Sequence, residues 1–274
     1  MYKIITNQGI IETKKVVVAC HYPFFLLPTF IPLKTYIKRE YVNASKISNP
    51  KKISAINIDK NLHSIRFYDD YIIYGSNAQK LTSKTDYQLS YEKSKEQFKN
   101  YFGMESEYTW MNQDIMSNDN LPYIGAIKNN LYLATAYNAW GITNGTIAGK
   151  IISDLIINND SIYKNLFLPT RNSFLLVTKS IFGSFSYIKA YAKSLYKKNN
   201  PINIKIKGVI YGLYKDDDHN IHRIKLICPH MKCNLVFNKQ EKTWDCPCHG
   251  SRFDIDGNLI QGPAKNNLES KTVK

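Results

Sequence analysis

Two short segments near the C-terminus hold most of the side chains in this sequence that could bind a metal. The first reads CPHMKC (228–233), and the second, 18 positions later, begins CPCHGSRFD (246–254). Together they contain four of the five cysteines in the 274-residue chain, and two of the six histidines. Thiolates and imidazoles are the donors that zinc and iron–sulfur centres prefer. The spacing therefore indicates a metal centre held by two neighbouring loops.

The donors of the two segments fit more than one kind of centre. Each segment offers one cysteine and one histidine, with a second cysteine to spare: Cys228, His230 and Cys233 in the first, and Cys246, Cys248 and His249 in the second. A structural zinc site accepts two cysteines and two histidines in tetrahedral geometry. Zinc, however, does not need the additional cysteine in each segment.

The whole pattern, CPHMKC followed by CPCHGSRFDIDGNLIQGPA, resembles the two cluster-binding boxes of the Rieske iron–sulfur family. In that family the first cysteine of each box binds one iron and the histidine of each box binds the other. The resemblance therefore implies a 2Fe-2S cluster in which Cys228 and Cys246 bind one iron. His230 and His249 would bind the second.

The same resemblance implies how the two loops are held around the cluster. Cys233 and Cys248 match positions that form a disulfide between the loops in many members of the family. Gly262 and Pro263 belong to the GPA segment, which matches the proline loop that covers the cluster. The disulfide and the proline loop are thus expected to surround the metal centre.

Two further residues are expected to set the redox potential. Two thiolates and two neutral imidazoles leave an oxidised cluster uncharged, so potentials lie at about −150 to +300 mV, against about −400 mV for four-cysteine clusters. Ser251 matches a serine that, in high-potential members, donates a hydrogen bond to a bridging sulfide. Phe253 stands where high-potential members have a tyrosine that donates to a ligand sulfur. Because phenylalanine has no donor, we predict a potential below that of the highest-potential members.

Three segments earlier in the chain carry a second resemblance. They are KKVVVACHYPF (14–24), WMNQDIMSNDNLPYIG (110–125) and YLATAYNAWGITNGTIAGKIISDLI (132–156). They resemble the C-terminal half of FAD-dependent oxidoreductases of the D-amino-acid-oxidase/glycine-oxidase type, in the bacterial subgroup with a fused Rieske domain. In that family the last segment places a glycine turn and a helix N-terminus against the flavin, where N–H groups stabilise negative charge. The residues that would contact FAD are Trp140, Gly141, Ile142, Thr143 and Asn144.

The dinucleotide-binding half of that family is absent from this sequence, since no G-x-G-x-x-G fingerprint occurs in it. We therefore expect FAD to bind only together with the missing N-terminal half, which a separate polypeptide could supply. The implied function is that of an oxidoreductase component that passes electrons from a FAD-linked substrate oxidation through the cluster. The acceptor would be a redox protein or a small molecule. The alternative is a non-catalytic Rieske electron-transfer protein with a truncated, flavin-free remnant domain.

Hydrophobic periodicity predicts the elements that position these residues. A hairpin is expected over 2–20, turning at Asn7–Gly9, and the segment 130–160 reads as strand, glycine turn and helix, with Thr143 or Asn144 as the N-cap. Cys20 ends the apolar run and is expected to fill the core. The remaining predictions are strands at 35–42, 64–68, 71–75 and 107–115, and a helix at 91–101.

These elements predict an α+β protein in which a partial FAD-oxidoreductase, a mixed sheet with helices, precedes a small all-β Rieske domain. The predicted boundaries are 1–170 for the oxidoreductase part, 171–200 for a helical connector and 201–274 for the Rieske domain. The connector contains a basic amphipathic stretch at 173–198 and ends in the turn-forming residues 199–201.

Composition limits the partners that are expected. The net charge is +15, but lysines are spread along the chain and no arginine-rich patch occurs, so we expect no nucleic-acid binding. The uncharged segment 16–33 is long enough to span a membrane, but three prolines interrupt it. We therefore expect no transmembrane segment and a cytoplasmic protein.

Overall fold

The computed structural model describes residues 1–22, 31–51, 53–58, 63–81, 86–171 and 202–273, which form two compact units. The first unit combines Met1–Tyr36 with the described residues from Asp114 to Arg171. The second combines Ile37–Gln113 with the C-terminal residues 202–273. Apart from Arg171, the predicted connector at 171–200 lies outside the described residues.

The first unit contains a hairpin, a mixed sheet and helices packed on that sheet. Its strands and helices are β1 (Tyr2–Thr6), β2 (Gly9–Thr13), β3 (Val16–Val18), α1 (Ile31–Lys34), β9 (Tyr123–Lys128), β10 (Leu131–Thr135), α3 (Gly141–Asn158) and α4 (Lys164–Phe167). Strands β1 and β2 pair antiparallel, which confirms the predicted hairpin. Strand β3 does not continue it. Instead, β3 lies at the edge of the sheet β3-β10-β9 and pairs parallel with β10, with Leu133 opposite Val18.

Helix α3 packs on this sheet through the apolar side chains that predicted it. Ala148, Ile151 and Leu155 repeat at helical spacing and are buried against Ile124 of β9. The predicted N-cap was wrong, because the helix begins at Gly141, before Thr143 and Asn144, and its N-cap is Trp140 without a side-chain hydrogen bond. The Asn144 amide donates instead to the carbonyl oxygen of Tyr137 at 2.8 Å.

A five-stranded antiparallel sheet with the order β5-β6-β7-β4-β8 forms the first half of the second unit, together with helix α2. Its elements are β4 (Thr35–Lys46), β5 (Ser54–Ile56), β6 (Ser64–Tyr68), β7 (Tyr71–Lys80), α2 (Tyr87–Phe102) and β8 (Tyr108–Ser117). Helix α2 begins four residues before the predicted start at 91, because the Asp86 carboxylate accepts the Leu89 N–H and caps it. Gly103, in the left-handed conformation at φ 69°, ends the helix.

The C-terminal part of the second unit is all β. Its strands are β11 (Ile202–Ile206), β12 (Val209–Lys215), β13 (Ile221–Lys225), β14 (Val236–Asn238), β15 (Thr243–Asp245), β16 (Arg252–Phe253), β17 (Leu259–Gln261) and β18 (Ser270–Val273). They form two four-stranded sheets, β11-β12-β13-β18 and β14-β15-β16-β17. Trp244, which is fully buried, lies in the core between them with Ile224 and Phe253. The predicted α+β class with a small all-β C-terminal domain is confirmed.

Cys20 was expected in the core but is only half-buried. It lies two residues beyond the end of strand β3, which stops at the buried Val18. Within the described ranges, no helix combines the length and the apolar character that crossing a bilayer requires.

Candidate metal centre and helix N-terminus

Both cysteine–histidine segments form tight loops with the same backbone hydrogen bonds. In the first loop, between β13 and β14, the Cys228 N–H donates to Cys233 O at 2.8 Å and Lys232 N–H donates to Cys228 O at 2.9 Å. In the second, between β15 and β16, the Cys246 N–H donates to Ser251 O at 2.8 Å. There the return bond, from Gly250 N–H to Cys246 O, is 3.0 Å long. Each loop thus holds its first cysteine at a fixed position.

A disulfide joins the two loops. Cys233 and Cys248 are bonded with an S–S length of 2.05 Å, as the sequence comparison implied, and both are buried. The Sγ atoms of Cys233, Cys246 and Cys248 lie within 4.8 Å of one another. That trio is not a plausible ligand set, because two of its members share the disulfide and have no thiolate to offer. Cys228 and Cys246 are the free thiols of the two loops.

These two thiols are buried and hydrogen-bonded to each other. The pKa of Cys228 is lowered to about 7, first by the hydrogen bond from Cys246 and then by bonds from the His230 N–H and the Ser251 hydroxyl, while burial opposes the shift. The same bond holds the proton of Cys246 and, with burial, raises its pKa well above the usual value. The arrangement therefore favours the thiolate of Cys228, whereas Cys246 keeps its proton and would have to lose it to bind a metal.

The two histidines of the loops face each other. Their ring centroids are 4.9 Å apart and the rings are almost perpendicular, at 87°. Burial and the neighbouring His230 lower the pKa of His249 to about 3, and burial with the positive charge of Lys265 lowers that of His230. Both rings are therefore neutral, which is the metal-binding form. The Nδ1 atom of His230 is buried and has no hydrogen-bond partner among the residues that the structure describes.

The residues around the loops are positioned as a cluster environment would need. Ser251 is fully buried, and its Oγ accepts the Ala264 N–H at 3.0 Å, which ties the segment with Gly262 and Pro263 to the second cysteine–histidine loop. Because that oxygen accepts, the Ser251 hydroxyl proton is available to a sulfur. Phe253 is fully buried in the core.

The predicted flavin-contacting residues lie at the N-terminus of α3 in the first unit. Trp140 and Ile142 are exposed to 54% and 90%, and a Cβ at Gly141 would meet no heavy atom within 4 Å among the described residues, apart from its chain neighbours and the backbone of its own helix. The first turn contains no acidic residue, and no side chain in the described part of the chain caps it. Its N–H groups are therefore open to a ligand that accepts hydrogen bonds or carries negative charge, as a flavin does on reduction.

The segment that leads into this helix has a feature that sequence analysis missed. Ala136, Asn138 and Ala139 have positive φ angles of 59°, 56° and 66°. Alanine in this conformation costs about 1 kcal/mol or more, and such backbone clusters at functional sites. Asp114 supports the turn by accepting the Ala139 N–H at 2.6 Å, and its other oxygen lies 2.7 Å from His21 Nε2. No local sequence signal marks these contacts, because they join residues far apart in the chain.

Comparisons with known proteins match two separate parts of the chain. The family described as FAD dependent oxidoreductase matches residues 2–155, and the family described as Rieske 2Fe-2S domain matches residues 186–272. YhfW of Bacillus subtilis (strain 168), which is described as a Rieske 2Fe-2S iron-sulfur protein, is 27% identical over an alignment of 282 residues. That match covers 94% of this chain and 55% of YhfW.

Two further relatives each match one part of the chain. Cytochrome b6-f complex iron-sulfur subunit 1 of Nostoc sp. (strain PCC 7120 / SAG 25.82 / UTEX 2576) is 40% identical over an alignment of 81 residues, and the match covers 26% of this chain and 45% of the subunit. The crystal structure of glycine oxidase from Bacillus cereus ATCC 14579 superposes with a TM-score of 0.51 at 22% identity. It covers 63% of this chain and 50% of its own length. The chain thus spans about half the length of the relatives that it matches.

Proposed function

We propose that this chain is an electron-transferring component of an oxidoreductase. It belongs to the FAD-dependent oxidoreductase family and carries a Rieske 2Fe-2S domain. When bound, FAD supplies the two-electron oxidation of a substrate and a 2Fe-2S cluster supplies transfer of single electrons. The electrons would leave to a redox acceptor, either a protein or a small molecule. We place the protein in the cytoplasm.

The cluster ligands in this proposal are Cys228 and Cys246 for one iron, and His230 and His249 for the other. The observation that carries the assignment is that two loops, joined by a disulfide, bring together a free thiol pair and a pair of neutral imidazoles. The buried Nδ1 atom of His230, which lacks a partner among the described residues, further supports a metal ligand at this position.

The chain's own residues would tune this centre in two ways. Two thiolates offset the positive charge of an oxidised 2Fe-2S core, and two neutral imidazoles add none, so little unfavourable charge is left in the buried site. Hydrogen bonds from Ser251 and from the backbone N–H of His230 to the Cys228 sulfur favour its anionic form. The aromatic ring of Phe253 excludes water without adding a donor.

On the flavin side, the open N-terminus of helix α3 and residues Trp140 to Asn144 would hold the isoalloxazine ring. Their exposure in the described structure fits this role, because the ring would cover apolar side chains that otherwise face water. The dinucleotide-binding half would pair with β3, the edge strand of its sheet in the described part of the chain, since Val17 of β3 and Ile10 and Ile11 of β2 expose β-branched side chains. Either another segment of a longer protein or a separate polypeptide would supply it.

Metal analysis of ligand variants tests the cluster assignment. Anaerobically purified protein should contain two iron and two sulfide ions per chain. Cys228→Ser and His249→Ala should lose them. The control is His219→Asn, which changes an exposed histidine outside both loops at a positive φ of 71° that asparagine tolerates, and it should retain them. Zinc in place of iron, or ligand variants that keep the full iron content, would contradict the proposal.

Flavin binding needs a separate experiment. The chain should be produced alone and together with a polypeptide that carries G-x-G-x-x-G, and both products should be examined for flavin absorption. We expect flavin only in the joint product. If no pairing binds flavin while the cluster assembles, the alternative of a flavin-free electron carrier would replace this part of the proposal.

A further inference from the structure

A buried ion pair connects strand β4 to the base of the loop between β15 and β16. This loop holds the proposed ligands Cys246 and His249 and is called the second metal-binding loop below. Arg39 Nη1 donates to Asp245 Oδ2 at 2.9 Å, and both side chains are fully shielded from solvent. Asp245 directly precedes the proposed ligand Cys246. The Arg39 guanidinium also lies over the Tyr87 ring of helix α2, 5.1 Å from its centroid. The sheet and its helix therefore enclose the guanidinium and aim it at this loop.

Gln113 of strand β8 makes a second contact from the same sheet. Its Oε1 accepts the Arg39 Nε–H at 3.0 Å, and its Nε2 donates to the carbonyl oxygen of Gly250 at 2.8 Å. Gly250 follows the proposed ligand His249. A Cβ at Gly250 would lie 3.1 Å from Gln113 Nε2 and 3.3 Å from Ile37 Cγ1, so the sheet is in tight contact with the loop, and a larger residue at the positive φ of 78° would be strained.

The network continues to the strand that follows the loop. Glu241 accepts hydrogen bonds from the Tyr91 hydroxyl and the Met111 N–H, at 2.5 Å each, and pairs with Arg252. Arg252 Nε in turn lies 3.4 Å from Asp245 Oδ1. Positive and negative side chains thus alternate from β4 through both ends of the loop to helix α2 and strand β8.

Buried charges are tolerated only where each one is paired and hydrogen-bonded, so this network is compatible with few geometries. We infer that Arg39 and Gln113 are positioning residues for the second metal-binding loop, so that strands β4 and β8 fix the conformation of residues 246–252. This inference rests on the proposed cluster only where it extends to the redox potential. Without the positive charge of Arg39, the Asp245 carboxylate beside Cys246 opposes reduction of the cluster.

Hydrogen exchange of residues 246–252 and the midpoint potential test the inference. Arg39→Met keeps most of the side-chain volume and removes the charge. It should speed exchange of these amides at least about tenfold, as expected when a charge-assisted hydrogen bond is lost, and should lower the potential. The matched control is Arg171→Met, which breaks a largely buried Arg–Asp pair with Asp119 in the first unit. It should leave both quantities unchanged.

Gln113→Ala keeps the test decisive if Arg39→Met does not fold, because it leaves no buried charge unpaired. It should also speed exchange of the loop, and, since it changes no charge, it separates loop geometry from electrostatics. A folded Arg39→Met or Gln113→Ala protein with wild-type exchange would overturn the inference. Exchange is measured on metal-free as well as metal-loaded protein. If the cluster fails to assemble, the proposed function is contradicted, but exchange of the metal-free protein still tests the role of Arg39 and Gln113.

Discussion

The disulfide between Cys233 and Cys248 should be a main source of stability for the C-terminal domain. The double variant Cys233→Ala/Cys248→Ala removes a covalent link that closes a loop of 15 residues. In the chain-entropy description, closing a loop of this length restricts the unfolded chain by about 3 kcal/mol. Both cysteines are buried in the core of the domain, so replacing them brings no new contact with water in the folded state that would offset the lost stabilisation. We therefore expect the free energy of unfolding to fall by about 3 kcal/mol.

Tryptophan fluorescence during urea unfolding can isolate this domain. Trp244 is fully buried there, whereas Trp110 and Trp140, the other two tryptophans, are exposed to 39% and 54% and report little on folding. Metal-free protein avoids irreversible loss of a cluster during the transition. With a denaturant slope of about 2 kcal/mol/M, the urea midpoint should fall by about 1.5 M in the double variant.

Two controls accompany this measurement. Cys20→Ala changes a half-buried cysteine outside the domain and should leave the Trp244 transition in place. Denatured wild-type protein should show three free thiols rather than five, since Cys20, Cys228 and Cys246 are free. A loss below about 1 kcal/mol, with three thiols confirmed, would refute the reasoning from loop closure.

Three other changes test the packing, the potential and the charges of the same domain. Gly212→Ala would place a Cβ 2.4 Å from Trp244 Cη2, so it should destabilise the domain by about 1–3 kcal/mol in the same urea assay. Phe253→Tyr should raise the midpoint potential by about 60 mV in protein-film voltammetry, the equivalent of one hydrogen bond to a one-electron centre; no upward shift would contradict the role given to this position. Burial lowers the pKa of His222, but its hydrogen bonds to Asp216 and a second carboxylate outweigh burial and the net shift is upward. The stability that wild type has over His222→Asn should therefore be present below the unfolded pKa of about 6.5 and disappear as the pH rises through the raised folded value; a difference that grows with pH would be inconsistent.

Local signals predicted much of this fold. The turn at Asn7–Gly9 between β-branched runs gave the hairpin, and apolar spacing in 147–156 gave helix α3. The ends of elements were less accurate, because capping competes with periodicity. Asp86 begins helix α2 before its apolar stripe does, and helix α3 begins at Gly141 without a side-chain cap. Strand β9 (Tyr123–Lys128) is not among the predicted strands, although its first three residues belong to the segment 110–125 that carries the resemblance to FAD-dependent oxidoreductases.

For the candidate site as well, the sequence predicted the local features but not the contacts between distant residues. The thiols and imidazoles follow from short spacings within two loops, so the sequence was sufficient to single them out. The contact between Arg39 and Asp245 joins residues 206 positions apart, and neither stands in a recognisable pattern. Partners of that kind depend on how the sheet packs, which hydrophobic periodicity does not encode. The same holds for Asp114 and His21, which are 93 positions apart.

The coordination of iron by two imidazoles is the central claim, and pulsed EPR tests it most directly. Protein prepared anaerobically with ¹⁵N-labelled histidine should be reduced with dithionite, frozen and examined for hyperfine coupling to nitrogen. We predict hyperfine couplings from two histidine nitrogens. His230→Ala and His249→Ala should each lose the EPR signal together with the iron. A reduced iron–sulfur signal without histidine coupling, or protein that contains zinc and no iron, would contradict the account.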